Sequence, residues 1–483
     1  MSAEPAVLAR NTSYLTFALI GQKILSFLYF TYLARLFGPE DVGKYVFALS
    51  VTTLFSVFLD LGLANVLTRE VARDERAAGR LLGLTFGFKF LVVAVVAGLV
   101  AWYVQALGYA QEVRQLTYLA CLVMIFDSVT LAAYSVLRGL HTLVWESIGT
   151  VLMQAVVAGL GVVASLYTRD LRIFMAALVL AALTNMVFSL WRLKRTGIPL
   201  SLRFSRAEFS SLWKITWPFA LAAILTRLYG YVDNLFLSYF GGDRAVGIYS
   251  VAYKVTFALQ FIPAAFSASL LPGFSSYFVS SPEKLAQTFR QALTYLMAIA
   301  VPVSLGIIAI APEVIAWLYP KFSESLLPLR ILMFSLIFLF ATFPIGALLP
   351  AVNRQARNTF NIGLAAVSAV VLNTLLVPRY GPTGAAISSL ISTFVLLGAH
   401  WQAVAQFIRL EHRILLSKLV RIVGAGLIMF AAAMYLKTQV HVVLVVPLAG
   451  VVYAGLLMFF KGIEPAELRE FVRIVLKRPE PNV

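Results

Sequence analysis

The sequence predicts an all-α integral membrane protein with about 14 transmembrane helices. Apolar residues make up 60% of the 483 residues and charged residues 13%, against about 45–50% and about 25% in an average soluble protein. The apolar residues fall into blocks of about 20 to 28, the length that a helix needs to cross about 30 Å of hydrocarbon. We therefore expect lipid rather than water to surround most of the chain.

In chain order, the blocks form two halves of six spans each, followed by two more spans. Residues 1–191 are the predicted N-terminal six-helix bundle, 192–212 a basic cytoplasmic linker, and 213–408 the C-terminal six-helix bundle. Residues 409–460 hold the two additional spans, and 461–483 form an amphipathic cytoplasmic tail. The predicted spans lie at about 12–36, 44–67, 81–107, 115–137, 142–167, 172–191, 213–240, 246–272, 290–319, 328–352, 358–377, 383–408, 418–436 and 441–460.

The two halves resemble each other in sequence. Phe17-Ala18-Leu19 recurs as Phe219-Ala220-Leu221, and the tip of the first hairpin, residues 36–45, recurs at 239–249. The offset stays near 202 to 204 residues, and both copies begin in a helix that runs in the same direction across the membrane. This pattern predicts a parallel repeat of two pseudo-symmetric bundles about an axis along the membrane normal.

The distribution of Lys and Arg predicts the orientation. The loops on the side of both termini hold 25 of these residues and the opposite loops hold 10. Cytoplasmic loops carry the excess of positive charge, so both termini are predicted to be cytoplasmic. The formal charge of +17 is interrupted by apolar blocks, which leaves no continuous solvated face for phosphates. We therefore expect membrane lipid, and no nucleic acid, as a partner.

No motif for catalysis, a cofactor or a metal stands out. The single cysteine, Cys121, lies in an apolar block, and the four histidines are isolated. Gly38 to Lys44 has the spacing of a phosphate-binding loop, but Tyr45 follows where a Ser or Thr would bind Mg²⁺. That stretch also falls on the predicted outer face, where there is no ATP. We expect no enzymatic activity, no cofactor, no metal and no cleaved signal peptide.

Ionisable residues inside the spans are the main candidates for function, because each is costly in lipid and should face a partner or a water-filled cavity. Counting residues from the span ends places Asp60 and Lys89 at one depth, and Asp233 and Lys254 at another. Two interpretations of these pairs stay open, namely buried structural salt bridges and ion-coupling sites. The seven residues are Lys23, Asp60, Lys89, Asp127, Arg227, Asp233 and Lys254.

Lys23, Arg227 and Asp127 lie near the middle of spans one, seven and four. The two cations are on repeat-equivalent helices, so the pseudo-symmetry is expected to bring them towards each other at a central cavity. An anionic head group suits such a site, because Arg donates a two-pronged hydrogen bond to phosphate and Lys adds a point charge. We predict that these three residues bind substrate. Snorkelling of the two cations is the alternative.

Several stretches resemble a known family: residues 32–45, Asp60-Leu61-Gly62-Leu63, residues 69–74 and residues 373–386. They are similar to the polysaccharide-transporter (Wzx-type) branch of the multidrug/oligosaccharidyl-lipid/polysaccharide (MOP) exporter superfamily, over nearly the whole chain. The resemblance implies a MATE/MOP-like fold in the inner cell membrane. It also implies a flippase that moves undecaprenyl-pyrophosphate-linked oligosaccharides to the outer leaflet by alternating access, for O-antigen, capsule or exopolysaccharide synthesis. A polysaccharide polymerase and glycosyltransferases are then expected partners.

Two other functions compete with this interpretation. A cation-coupled multidrug or small-molecule antiporter of the same superfamily predicts a cavity dominated by carboxylates, whereas the spans hold four cations and three acids. A scaffold or channel leaves the buried charge without cargo, and no repeated polar face typical of a pore is present. The balance of charge therefore favours an anionic cargo.

Overall fold

The structure, a computed structural model, describes residues 5–199, 205–408 and 411–462. Within these ranges the chain is α-helical, with two short 3-10 helices and no β-strand. It divides into two compact units, residues 1–250 (unit 1) and 251–483 (unit 2). The helices are α1 (Pro5–Leu36), α2 (Pro39–Phe55), α3 (Val57–Asp60), α4 (Leu63–Arg73), α5 (Ala78–Ala106), α6 (Gln111–Gly139), α7 (Val144–Tyr167), α8 (Leu171–Lys194), α9 (Arg206–Leu259), α10 (Phe261–Ser280), α11 (Pro282–Ala309), α12 (Ala311–Leu318), α13 (Leu326–Ala351), α14 (Gln355–Ala405), α15 (His412–Leu436) and α16 (Val442–Phe459).

The number of membrane crossings follows from helix length. Eleven segments of the described chain are long and apolar enough to cross a membrane. Two of them, Thr216–Ser280 and Gln355–Ala405, have 65 and 51 residues, far more than the roughly 20 that one crossing needs. Each contains one glycine with a non-helical backbone, Gly242 (φ 71°) and Gly381 (φ 53°). Each segment is therefore two crossings, and α1 adds another, which confirms the prediction of about 14.

The second predicted span is not one continuous helix. The structure divides it into α2, α3 and α4, with Leu61 (φ 45°) and Gly62 (φ 78°) in left-handed conformations after Asp60. Gly62 lies against α9, where an added Cβ would come within 2.7 Å of Phe219 Cβ and 3.0 Å of Ala220 N. The left-handed backbone and this close approach both favour glycine. The break leaves helix-end carbonyls inside the membrane-spanning region, and they need partners.

Unit 2 is held together by apolar contacts between its long helices. Phe274, Phe289, Leu348 and Ala403 belong to one buried cluster that joins α10, α11, α13 and α14. The two helices that the sequence predicted beyond the second half pack on α11, and the Tyr453 hydroxyl donates to the Ala298 carbonyl at 2.9 Å. Of the predicted linker, residues 200–204 lie outside the described residues, as do residues 463–483 of the predicted tail. The predicted domain boundaries stay predictions.

Candidate functional site

The break in the second span surrounds a buried lysine. Lys89 of α5 is 5% exposed, and its Nζ donates to the Leu59 carbonyl at 2.9 Å and to Ser128 Oγ at 2.8 Å. The same nitrogen lies 3.6 Å from Asp60 Oδ1. The ammonium thus caps the carboxyl end of α3, where the helix dipole is negative. The structure brings Asp60 and Lys89 together, as expected from their depth in the sequence.

Asp127 lies at the level of this pair. Ser128, the next residue along α6, accepts a hydrogen bond from Lys89 Nζ at 2.8 Å, and the same nitrogen lies 3.6 Å from Asp60 Oδ1. Asp127 is therefore only about 1.5 Å of helical rise from a residue that contacts the pair. Asp127 is near the middle of α6, and its side chain is exposed.

A contact between α1 and α7 gives the height of Lys23. The Tyr32 hydroxyl of α1 is hydrogen-bonded to Ser165 of α7, and these two helices run parallel. Nine residues back along each helix are Lys23 and Val156, which therefore share one height. The Lys23 side chain is half-buried.

Val156 is also the residue of α7 that lies level with Asp127. Gly149 of α7 lies against the ring of Tyr134 on α6, with 3.0 Å between Tyr134 Cζ and the position that a Cβ on Gly149 would occupy. The two helices are antiparallel. Val156 is seven residues after Gly149 and Asp127 is seven residues before Tyr134, so Val156 and Asp127 lie at one height. Lys23 and Asp127 thus lie at one height in unit 1.

Arg227 lies between two contacts that fix α9 against the second span. Near one end, Gly62 meets Phe219. Nearer the other end, Asn234 Nδ2 donates to Ser50 Oγ at 2.8 Å. Arg227 is eight residues past Phe219 and seven before Asn234, so it lies level with the middle of 50–62, where α2 ends. The Arg227 side chain is exposed, and its guanidinium carbon is 6.0 Å from the Tyr231 ring centre.

Most of the predicted site residues thus lie within about one helical turn of one level in unit 1, with Arg227 about 6 Å along the helix axis from Asp60. The set is Lys23, Asp60, Lys89, Asp127 and Arg227. We call this set the mid-level cluster. It has three cations and two carboxylates, a formal charge of +1. An anion near this level is favoured by the excess positive charge, and low-dielectric surroundings strengthen that attraction. The substrate-binding role of these residues stays a prediction.

The second predicted pair consists of Asp233 and Lys254. Asp233 is 8% exposed and accepts a hydrogen bond from the Tyr249 hydroxyl. Lys254 belongs to unit 2, so its pairing with Asp233 remains a prediction. The tyrosine is a partner that depth counting did not suggest.

Sequence reasoning also missed a contact between the two repeated hairpin tips. A Cβ on Gly43 would overlap the Asp243 carbonyl oxygen, and a Cβ on Gly247 would overlap the Pro39 carbonyl oxygen. Each Cβ position also lies close to the other glycine's nitrogen, at 3.0 and 3.1 Å. Pro39 and Asp243 are 204 residues apart, as are Gly43 and Gly247, so the contact is reciprocal, as a two-fold axis requires. We call these four residues the tip contact.

The tip contact accounts for the spacing that resembled a phosphate-binding loop. Position 43 requires a glycine because the backbone of Asp243 lies directly against it. Lys44 is engaged by carboxylates, with its Nζ 2.9 Å from Glu112, 3.2 Å from Glu40 and 3.5 Å from Asp41. The equal offset between the two glycines was the one signal in the sequence that pointed to this pairing.

Comparison with known proteins agrees with this architecture. The capsular polysaccharide biosynthesis protein CapF of Staphylococcus aureus is 22% identical over 82% of this chain and 98% of its own length. The probable low-salt glycan biosynthesis flippase Agl15 of Haloferax volcanii is 21% identical over 97% of this chain and 99% of its own. Both relatives match along nearly their whole length.

Solved structures share the fold. A structure of the lipid II flippase MurJ in an inward closed conformation superposes with a TM-score of 0.75, at 14% identity, over 96% of this chain and 99% of the other. An inward-facing multidrug resistance MATE transporter of the MOP superfamily gives 0.63, at 14% identity, over 81% and 98%. At these identities the similarity shows the fold alone.

Two family models match the sequence. The MatE model covers residues 218–376, less than half of the chain. The model described as "Polysaccharide biosynthesis protein" covers residues 8–278, more than half of the 483 residues. The chain therefore belongs to the polysaccharide biosynthesis protein family.

Proposed function

We propose that this protein is a flippase that carries polyprenyl-pyrophosphate-linked oligosaccharides from the cytoplasmic to the outer leaflet by alternating access. The observation that supports the proposal is the net positive charge of the mid-level cluster, about halfway along the spans of unit 1, in a chain of the polysaccharide biosynthesis protein family. A pyrophosphate must leave water to cross the membrane, and fixed cations at that depth lower the penalty. We assign Lys23 and Arg227 to the phosphates, with Asp127 at a similar height.

Relatives support the class of cargo. Two curated relatives carry names that refer to capsular polysaccharide and to a glycan flippase. The flippase with the similar fold acts on lipid II, as its name states. From these names we infer a lipid-linked saccharide as the cargo of this chain. Glycosyltransferases that build the unit and a polymerase that uses it are the expected neighbours in the pathway.

Translocation by the purified protein tests this proposal. Proteoliposomes are loaded with a fluorescent polyprenyl-pyrophosphate-oligosaccharide, and a membrane-impermeant quencher reports the fraction in the outer leaflet over time. We expect faster exchange between the leaflets than in protein-free liposomes, and no acceleration for a fluorescent phosphatidylcholine. Equal rates with and without protein would contradict the proposal.

A cation-coupled antiporter is the competing function, and the MatE match over residues 218–376 favours it. The two functions differ in what a cation gradient drives. An antiporter exports a dye or drug from liposomes when an H⁺ or Na⁺ gradient is imposed, with no lipid-linked sugar present. Gradient-driven drug efflux without movement of the lipid-linked sugar would favour the antiporter.

The predicted orientation, with both termini cytoplasmic, can be tested by cysteine labelling. Ser280 and Ser323 are exposed residues of unit 2 that fall on opposite sides in the predicted topology. In a Cys121→Ala background, Ser323→Cys should react with an impermeant maleimide in intact cells, and Ser280→Cys should react only after the membrane is opened. The reverse pattern would show the opposite orientation.

A further inference from the structure

The oxygen atoms around Lys89 form the kind of environment that binds a monovalent cation. A main-chain carbonyl, a hydroxyl and a carboxylate converge on its Nζ, from Leu59, Ser128 and Asp60 respectively. Hard cations take such oxygen ligands. Discontinuous transmembrane helices often bind ions in this way, through carbonyls at the carboxyl end of the first half-helix.

The position of the Asp60 carboxylate suits electrostatic contact with a cation better than a hydrogen bond. Its Oδ1 is buried and has no hydrogen-bond partner in the described chain, although the Lys89 ammonium lies 3.6 Å away. A buried carboxylate oxygen without a donor is costly. A nearby positive charge offsets that cost through attraction, and its position need not satisfy the geometry of a hydrogen bond.

We propose that the Lys89 ammonium occupies a monovalent-cation site formed by the Leu59 carbonyl, the Asp60 carboxylate and the Ser128 hydroxyl. The lysine side chain then supplies the cation that stabilises the end of α3 at the break in the second span. Unit 1 needs no dissolved ion at this position. Removing the amino group while leaving the three oxygens opens the site to Na⁺ or K⁺. An ordinary structural salt bridge predicts only lost stability, whatever salt is present.

The test is the thermal stability of Lys89→Ala in detergent, measured in NaCl, KCl and choline chloride at equal ionic strength, which keeps general screening constant. Wild-type protein sets the baseline for any other ion effect. In choline chloride Lys89→Ala should melt below wild type. Na⁺ or K⁺ should raise its Tm by about 3 °C or more beyond the change in wild type, with saturation at high ion concentration.

Two further variants assign the effect to the site. Asp60→Asn combined with Lys89→Ala should lose the ion response, because the carboxylate is gone. Lys89→Met fills the same space without a charge and should show no ion response. An ion response of Lys89→Ala no larger than that of wild type, or one that survives in the Asp60→Asn double variant, overturns the proposal.

Folding failure is also informative. Lys89→Ser is a second small variant that leaves room for an ion, and it is prepared in NaCl or KCl from lysis onward. Because the proposal states that an ion can replace the ammonium, failure of both small variants to fold in either salt contradicts it. The assay requires no transport, so its outcome does not depend on whether the protein proves to be a flippase.

Discussion

Replacing Arg227 with glutamine is expected to abolish most translocation of a polyprenyl-pyrophosphate-oligosaccharide without reducing the yield of folded protein. The side chain is exposed at the height of the mid-level cluster, and exposed substitutions usually change stability by about 0.5 kcal/mol or less. Loss of a charge-assisted hydrogen bond to phosphate removes about 1.5–3 kcal/mol of interaction, which corresponds to a rate about tenfold to a hundredfold lower. Initial rates in proteoliposomes, with Tm recorded alongside, measure both.

Conservative and distant variants separate charge from folding. Arg227→Lys should keep part of the activity, because the charge survives although the two-pronged hydrogen bond is lost. Arg379→Gln makes the same chemical change at an exposed position of unit 2, and it should transport near the wild-type rate. Wild-type rates in a folded Lys23→Gln, Arg227→Gln double variant would show that the anion is bound elsewhere.

The helices and the depth of their charges could be predicted from the sequence because both depend on local, regular quantities. A span has a characteristic length, and each helical residue adds a constant rise, so counting from span ends placed Asp60 and Lys89 at one height. The same counting placed Lys23, Asp127 and Arg227 near mid-span. The register of side-chain contacts in unit 1 supports one height for Lys23 and Asp127, with Arg227 within about one helical turn of Asp60.

Contacts that depend on helix faces could not be predicted in this way. Leu61 adopts a left-handed conformation although leucine has no preference for it, because the surrounding packing imposes the break. The partners of Lys89 include Ser128, which is 39 residues away and has no recognisable motif. Depth gives the height of a residue in the membrane, whereas its partner also depends on rotation about the helix axis.

The tip contact also depends on helix faces, so depth counting could not predict it. Substitution of its glycines is expected to lower the stability of the protein. Gly43→Ala should lower the Tm measurably, because the added Cβ would meet the Asp243 carbonyl rather than a flexible side chain. Overpacking of this kind costs about 1–3 kcal/mol, and for a chain of this size that is a shift of about 1–3 °C. Gly38→Ala is the matched control, since a Cβ there meets nothing within 4 Å and its φ of −90° suits alanine.

The reciprocal geometry makes this expectation quantitative. Gly247→Ala places its Cβ against the Pro39 carbonyl in the equivalent way, so its effect on Tm should match that of Gly43→Ala. The first methyl group already forces the two helix starts apart, so the second should cost less, and the double variant should lie well short of the sum of the single effects. Additive effects, or a Gly43→Ala protein as stable as Gly38→Ala, would contradict the close contact. A shared loss of stability would show that the sequence repeat is also a repeat of structure, with the two hairpin tips pairing as symmetry equivalents.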